Sequence, residues 1–363
     1  MVGASVCLAL GVGASACSES QELGLPPTAL VYDGDRLRLF AERDREPCAG
    51  EGPALDRALE HFVREFGLGE MDGRADVYWL SEETLASRSP CRALEGAGGC
   101  FVDGREAFVV HPSVAEHELT HVYLANRTGR THAFFEEGIA VVYGRFPRFG
   151  PPTSDLRDAL QHGESLPAEH YARAGHFVND LLDEYGPEVM GEFFEEAAGI
   201  RDQAGIEPVF FDVFGVSLDV FIERYEAEAP VCGSAGWNRP FECEGDPLPW
   251  SRAWAWDYQF SMSCGNEDVV QEYDGRIVTR VAFDVEHASM HTLFLDGAAD
   301  DAGPDAYRVD IHGCAGCGDS LSFGINSEMG SLSGIPLEAG RYYMDISRDP
   351  DVDPDVSVRL QTP

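Results

Sequence analysis

His117-Glu118-Leu119-Thr120-His121 is the segment of this chain whose residue types and spacing could do chemistry. Four residues apart on a helix, two imidazoles share one face and can hold a single metal ion, while a carboxylate at the second position stands beside it. Two histidines on an apolar helical face are costly unless they are ligated or hydrogen-bonded. A zinc ion that does hydrolysis takes three protein ligands and keeps one position for water. A third ligand must therefore come from elsewhere in the chain. Thr131-His-Ala-Phe-Phe-Glu136-Glu137-Gly-Ile-Ala-Val-Val-Tyr-Gly144 reads as a second helix after a break at Gly129. On it Glu137 has Ala133, Phe134, Ala140 and Val141 as helical neighbours, so its carboxylate is expected to face an apolar interior. An ion is the obvious reason to place it there.

The element that carries the two histidines is well signalled. Ser113 and Glu116 have the spacing of a capping box, and Val114, His117, His121 and Leu124 form one stripe. HExxH, a turn, and then a helix with an aromatic, a Glu-Gly pair and Ala resembles the gluzincin zinc metallopeptidases, which include thermolysin-like enzymes and zinc aminopeptidases. Phe134-Phe-Glu-Glu137-Gly-Ile-Ala140 is similar to the W-L-x-E-G-x-A pattern of the peptidase-MA-like branch. That likeness implies the third-ligand role for Glu137 and not for Glu136. It covers roughly residues 29–230 and continues in Tyr171-Ala-Arg-Ala-Gly175-His-Phe-Val, whose helix resembles the one that supplies a transition-state Tyr in aminopeptidase-type relatives. The same role is thereby implied for Tyr171, with His170 and His176 as competitors; His111 also lies near the motifs.

The resemblance implies one catalytic zinc on His117, His121 and Glu137, and a peptide or protein substrate. Such an ion lowers the pKa of its bound water to about 7 and polarises the scissile carbonyl. Glu118 then takes the water's proton and returns it to the leaving amine, and Tyr171 donates to the developing oxyanion. The chain departs from the family in two ways. The gap from His121 to Glu137 is shorter than in thermolysin or the aminopeptidases, and residues 104–116 lack the G-x-M-E-N signature that anchors a substrate amino terminus. The second departure favours an endopeptidase over an aminopeptidase, and a strand near residues 105–110 is expected to pair with an extended substrate. The alternative is a catalytically inactive, zinc-stabilised binding protein of the cell surface. Intact Glu118 argues against it.

Around this centre the chain divides by pattern. Leu55, Ala58, Leu59, Phe62, Val63 and Phe66 recur at helical spacing, residues 75–80 read as a strand, and residues 100–110 read as a hairpin around Asp103-Gly104. Helical pattern then continues to about Tyr225. Residues 230–249 are rich in Pro, Gly and Cys. Beyond them residues 277–285, 291–295, 307–311, 321–325, 341–346 and 356–360 read as strands. Leu337-Glu-Ala-Gly-Arg-Tyr-Tyr343 resembles the pre-peptidase C-terminal type of domain appended to secreted bacterial peptidases. The expected fold class is an α+β zincin-like metallopeptidase domain followed by an all-β sandwich, jelly-roll-like. The expected division is a signal or lipoprotein-like segment 1–17, a linker 18–28, the peptidase domain 29–230, a linker 231–250 and the sandwich 251–363.

Residues 2–16 carry no charge and end in Ala14-Ser15-Ala16 before Cys17. Small residues before a Cys resemble a bacterial lipoprotein signal, in which the thiol of Cys17 would be acylated. Export follows, either to the cell surface or outer membrane through a lipid anchor or into the medium. Beyond Cys7 and Cys17, eight cysteines then suit disulfides. Three lie before residue 101 and five after residue 231, so complete pairing needs a bridge between the halves. Cys314 and Cys317 have CxxC spacing, but zinc needs a second ligand pair and no other CxxC exists. Asp349, Asp351, Asp353 and Asp355 offer oxygens to Ca2+, though acidic residues among prolines read first as a solvated loop. With 26 Arg plus Lys against 64 Asp plus Glu, the net charge of -38 excludes a nucleic-acid binder. Oligomeric state is not written in these features.

Overall fold

The computed structural model describes residues 25–93, 98–102, 104–144, 152–229, 239–252, 254–297, 306–314, 323–326 and 330–362. The signal-like segment with Cys17, the linker up to residue 24, Cys232 and Cys317 lie outside the described residues. The fold is mixed α+β with a β-rich C-terminal region. Its first part comprises strands β1 (Thr28–Asp33) and β2 (Leu37–Glu42), helix α1 (Glu51–Phe66), β3 (Ala75–Trp79), α2 (Glu82–Arg88), β4 (Gly99–Val102) and β5 (Glu106–Val109). Helices α3 (Ala115–Arg127), α4 (Ala133–Tyr143), α5 (Leu156–Ala159), α6 (Tyr171–Tyr185), α7 (Pro187–Glu196), α8 (Gln203–Phe214) and α9 (Leu218–Glu228) follow.

The five strands form one sheet in the order β1-β2-β3-β5-β4, with β2, β3 and β5 parallel and the two edge strands antiparallel. Val77, Tyr78, Ala107 and Phe108 are buried, as parallel strands covered on both faces require. The stripe on α1 is buried as its spacing predicts, through Leu55, Ala58, Leu59, Phe62 and Phe66, and each large side chain contributes about 1.5–3 kcal/mol by leaving water. Gly67 ends that helix at φ 65°, a left-handed cap. The hairpin forms between β4 and β5, with Gly104 at φ 66° and Arg105 N donating to Val102 O.

The expected capping box does not form. Pro112–Val114 make a 3-10 turn ahead of α3, and Ser113 N donates to Nδ1 of His111 at 3.2 Å, with its hydroxyl 3.0 Å from the same atom. The acceptor for the chain's entry into the helix is thus His111, and α3 begins at Ala115 without a side-chain cap. Proline pre-sets the turn and leaves Ser113 inside it.

The C-terminal region holds β6 (Ala255–Ser261), β7 (Val269–Gln271), β8 (Ile277–Val285), β9 (Ser289–Gly297), β10 (Tyr307–Gly313), β11 (Phe323–Asn326), β12 (Ser331–Leu337), β13 (Gly340–Arg348) and β14 (Asp355–Gln361). They make two antiparallel sheets, β11-β10-β13-β8-β7 and β12-β9-β14-β6. Trp256, Phe283, Leu293, Val309, Met344, Ile346 and Val358 from both sheets share one core. Strands β6, β7 and β12 escaped the pattern reading. Strand β12 lies at a sheet edge, where Pro336 is tolerated, and Gly334 at φ 79° marks its register shift.

The two parts are tied together. Cys48 bonds Cys264, the bridge between halves that the uneven cysteine split demands, and Ala49 N and Gly50 N donate to Cys264 O and Val269 O. Cys91 bonds Cys100, and Cys314 bonds Cys243, so Cys314 forms a long-range structural bridge. The described residues of the expected linker 231–250 are docked on both parts. Arg239 N donates to Val142 O at 2.8 Å, and Arg341 donates to the carbonyls of Cys243 and Gly245. Asp349 pairs with Arg276 at 2.6 Å, and Asp353 accepts from the backbone of Asp355, the local pattern of an acidic loop. No helix among the described residues is long and apolar enough to cross a membrane.

Candidate metal centre

Helices α3 and α4 bring His117, His121 and Glu137 together, the three donors expected from spacing and resemblance. Nε2 of His117 and Nε2 of His121 are 3.3 Å apart, and Oε2 of Glu137 lies 3.2 Å from the first and 3.4 Å from the second. Three ligands held tetrahedrally at about 2.0–2.1 Å from a zinc ion stand roughly 3.3 Å from one another. The triangle has the size of a zinc site. Oε2 of Glu137 is buried and has no partner in hydrogen-bond geometry, and Nδ1 of His117 is likewise buried without one among the described residues. Three lone-pair atoms facing one point need a proton or a cation between them, so the residues fit a metal.

Electrostatics express the same need. Burial alone would raise the Glu137 carboxyl, but the charge of His121 and the imidazoles of both histidines hold it well below the usual carboxylate range. Burial would lower His121, and the Glu137 carboxylate raises it instead. Glu118 beside them is pushed up by burial, pulled back by His117 and His121, and pushed up again by Glu137. A carboxylate raised above its ordinary range is better matched to proton transfer near neutrality.

Small residues set the spacing of these elements. A Cβ on Gly138 would stand 2.7 Å from Ala174 O, so the glycine after Glu137 lets α4 lie against α6. A Cβ on Gly144 would meet Cβ of His117 at 3.0 Å, and one on Gly99 would meet Cγ and Oε1 of Glu118 at 2.9 Å. Edge strand β4 thus runs directly beside Glu118. The close α4 to α6 packing places Tyr171 on the site: its ring stacks on His117 with centroids 6.0 Å apart at 13°, and its hydroxyl hydrogen-bonds Glu137. Burial first, and then the Glu137 charge, raise the phenol, so it stays protonated as a donor.

The competing residues stand elsewhere. Glu136 accepts from Arg130 Nε at 2.8 Å and from Thr131 N, fixing the turn before α4. His176 Nδ1 is 2.7 Å from the Tyr225 hydroxyl, His111 packs edge-on against Trp79, and His170 pairs with Asp158. Sequence reasoning missed Phe101, whose ring stacks on His121 at 4.8 Å and 15° while the Arg130 guanidinium lies 4.5 Å from its centroid. An aromatic within a short hairpin strand gives no such signal. The strand expected to receive substrate also needs correction. Strand β5 is flanked by β3 and β4, so both its edges are used and the edge strand is β4.

No family model and no curated protein match the chain. Among solved structures, it is similar over 32% of its length to 96% of an Aeromonas hydrophila periplasmic inhibitor of g-type lysozyme, PliG, with 8% identity and a TM-score of 0.20. A Podospora anserina GH26-CBM35 β-(1,4)-mannanase matches 31% of this chain over 28% of its own, with 14% identity and a TM-score of 0.18. TmCBM61, solved with β-1,4-galactotriose, matches 30% of this chain over 70% of its own, with 11% identity and a TM-score of 0.17. Likeness at these scores carries no argument about fold or function.

Proposed function

We propose that this chain is an exported zinc metallopeptidase that cleaves internal peptide bonds, with a zincin-like first part and a β-sandwich beyond it. One observation carries the reading: three convergent donors on α3 and α4 with a buried carboxylate, Glu118, beside them. His117, His121 and Glu137 would hold a zinc ion, which would supply Lewis acidity toward a carbonyl and a water. Glu118 accepts the proton of the attacking water and delivers it to the leaving amine. Tyr171 turns its hydroxyl from Glu137 to the oxyanion as charge develops there. Strand β4, last in its sheet among the described residues, would receive an extended peptide, and the close approach of Gly99 to Glu118 supports a scissile bond beside that carboxylate. The bridges suit an oxidising compartment.

Elemental analysis of the purified chain, with digestion of an unfolded protein, tests this. Glu118→Gln keeps size and hydrogen bonding but accepts no proton, so it should retain the metal and lose activity by about 100- to 10,000-fold. Equal rates in variant and parent would remove Glu118 from the chemistry. Absence of metal at His117, His121 and Glu137 would remove the reading itself.

A further inference from the structure

A second group of metal-ligating side chains lies outside this centre, and the peptidase reading uses none of them. Asp158, His162 and His170 each bring a donor atom within 4.8 Å of the others. His170 Nε2 is 3.4 Å from Asp158 Oδ2, and the rings of His162 and His170 have centroids 5.3 Å apart. His170 is only 5% exposed, and its Nδ1 has no hydrogen-bond partner among the described residues. The ring is therefore buried with one nitrogen unmet and the other facing an exposed carboxylate, an arrangement that the described residues leave under-satisfied. Asp158 is exposed and His162 half-buried, so the group is open to solvent on one side.

The backbone around the group is held firmly. Leu160 O accepts from the His132 ring, and Gly163 O accepts from Ala133 N at 2.8 Å, where α4 begins. His170 directly precedes Tyr171, where α6 begins. The segment 156–170 therefore spans from the first turn of α4 to the first turn of α6. Two imidazoles and one carboxylate are the donors zinc takes, whereas calcium and magnesium prefer oxygen alone. His170 Nε2 and Asp158 Oδ2 already stand 3.4 Å apart, close to the roughly 3.3 Å between ligands of one zinc ion, and a half-buried turn side chain such as His162 joins them by rotamer change. A net charge of -38 raises the local concentration of any cation.

We propose that Asp158, His162 and His170 form a second, structural site for a divalent transition metal of the zinc class, clamping the segment between α5 and α6. The full chain, stripped by chelator and titrated with Zn2+ against a chromophoric chelator, tests it. The parent should take up two equivalents. Asp158→Asn combined with His162→Ala, both on the surface side of the group, should take up one. Glu137→Ala should also take up one, and the two changes together none. The second affinity should fall by more than the roughly 10- to 100-fold that loss of an outer-shell partner costs. A parent that binds one equivalent and loses it with Glu137→Ala overturns the proposal, as does a surface variant that keeps two. A parent whose single equivalent survives Glu137→Ala and is lost with Asp158→Asn and His162→Ala would uphold this site while sinking the peptidase reading.

Discussion

In the β-rich region Arg280 has its Nε 3.0 Å from Asp345 Oδ1, a further bond to Glu272, and Glu242 at 4.0 Å. Arg348 is met by the carbonyls of Met262, Asp349, Pro350 and Val352. In the helical region His117, His121 and Glu137 turn acceptor atoms toward one another, with no Arg among them. The first arrangement is paired within the protein; the second leaves Glu137 Oε2 and His117 Nδ1 without a hydrogen-bond partner among the described residues and could hold a cation. Burial of charge therefore does not by itself mark a functional site. The candidate site differs in burial that the described residues leave uncompensated.

Three measurements test this difference between the two regions. The largest effect is expected at Arg280. Arg280→Met leaves Glu272, Asp345 and Glu242 without their cation and should cost about 3–5 kcal/mol in urea unfolding while metal content stays unchanged. A cost below about 1 kcal/mol would place the network among ordinary surface pairs. Next comes Tyr171→Phe, which keeps the stack on His117 and loses the hydroxyl. It should lower kcat about 100-fold with KM and metal content nearly unchanged. Loss of metal in parallel with rate would instead make Tyr171 a residue that orients Glu137.

The smallest effect is the response to acid, which the helical region should dominate. Burial lowers His61 to about 3, and His111 and His132 each to about 4. The unfolded chain, with histidines near about 6.5, binds more protons than the folded one below that pH, so stability is fully present above it and declines as pH falls toward 4. Asp180, raised to about 6 mainly by burial, works the other way and removes some stability as pH rises from about 4 to 6. Outside the metal centre, His291 is also lowered by burial and Glu65 is raised, so four histidines against Asp180 and Glu65 predict a lower urea midpoint at pH 5 than at pH 7.5. His111→Asn keeps an acceptor for Ser113 N and should make that decline shallower.

Much of the candidate site is legible locally because helical periodicity is local. His117 and His121 share a face by spacing alone, and Glu137 was placed toward an apolar interior by its helical neighbours. The α1 stripe, the β4 to β5 hairpin and the need for a bridge between halves follow from residue order in the same way. Less legible is whatever depends on which acceptor wins. Ser113 and Glu116 have capping-box spacing, yet His111 takes the Ser113 amide because Pro112 closes a tighter turn first. Asp158 and His162 have the same i to i+4 spacing, but Gly163 and Pro167 interrupt the pattern before His170, so nothing along the chain joins it to them.

By itself the sequence determined the donor types, the i to i+4 pair, the charge balance and the uneven cysteine split. These are properties of residue identity and of periods shorter than one element. Tertiary structure alone decided that Glu137 closes the triangle with the histidines, that Tyr171 lies over His117, that β4 is the edge strand beside Glu118, and that Cys314 joins Cys243. Each of these depends on how two elements pack. Packing is set by steric allowances such as Gly138 against Ala174 and Gly99 against Glu118, whose partner a glycine in a sequence does not name.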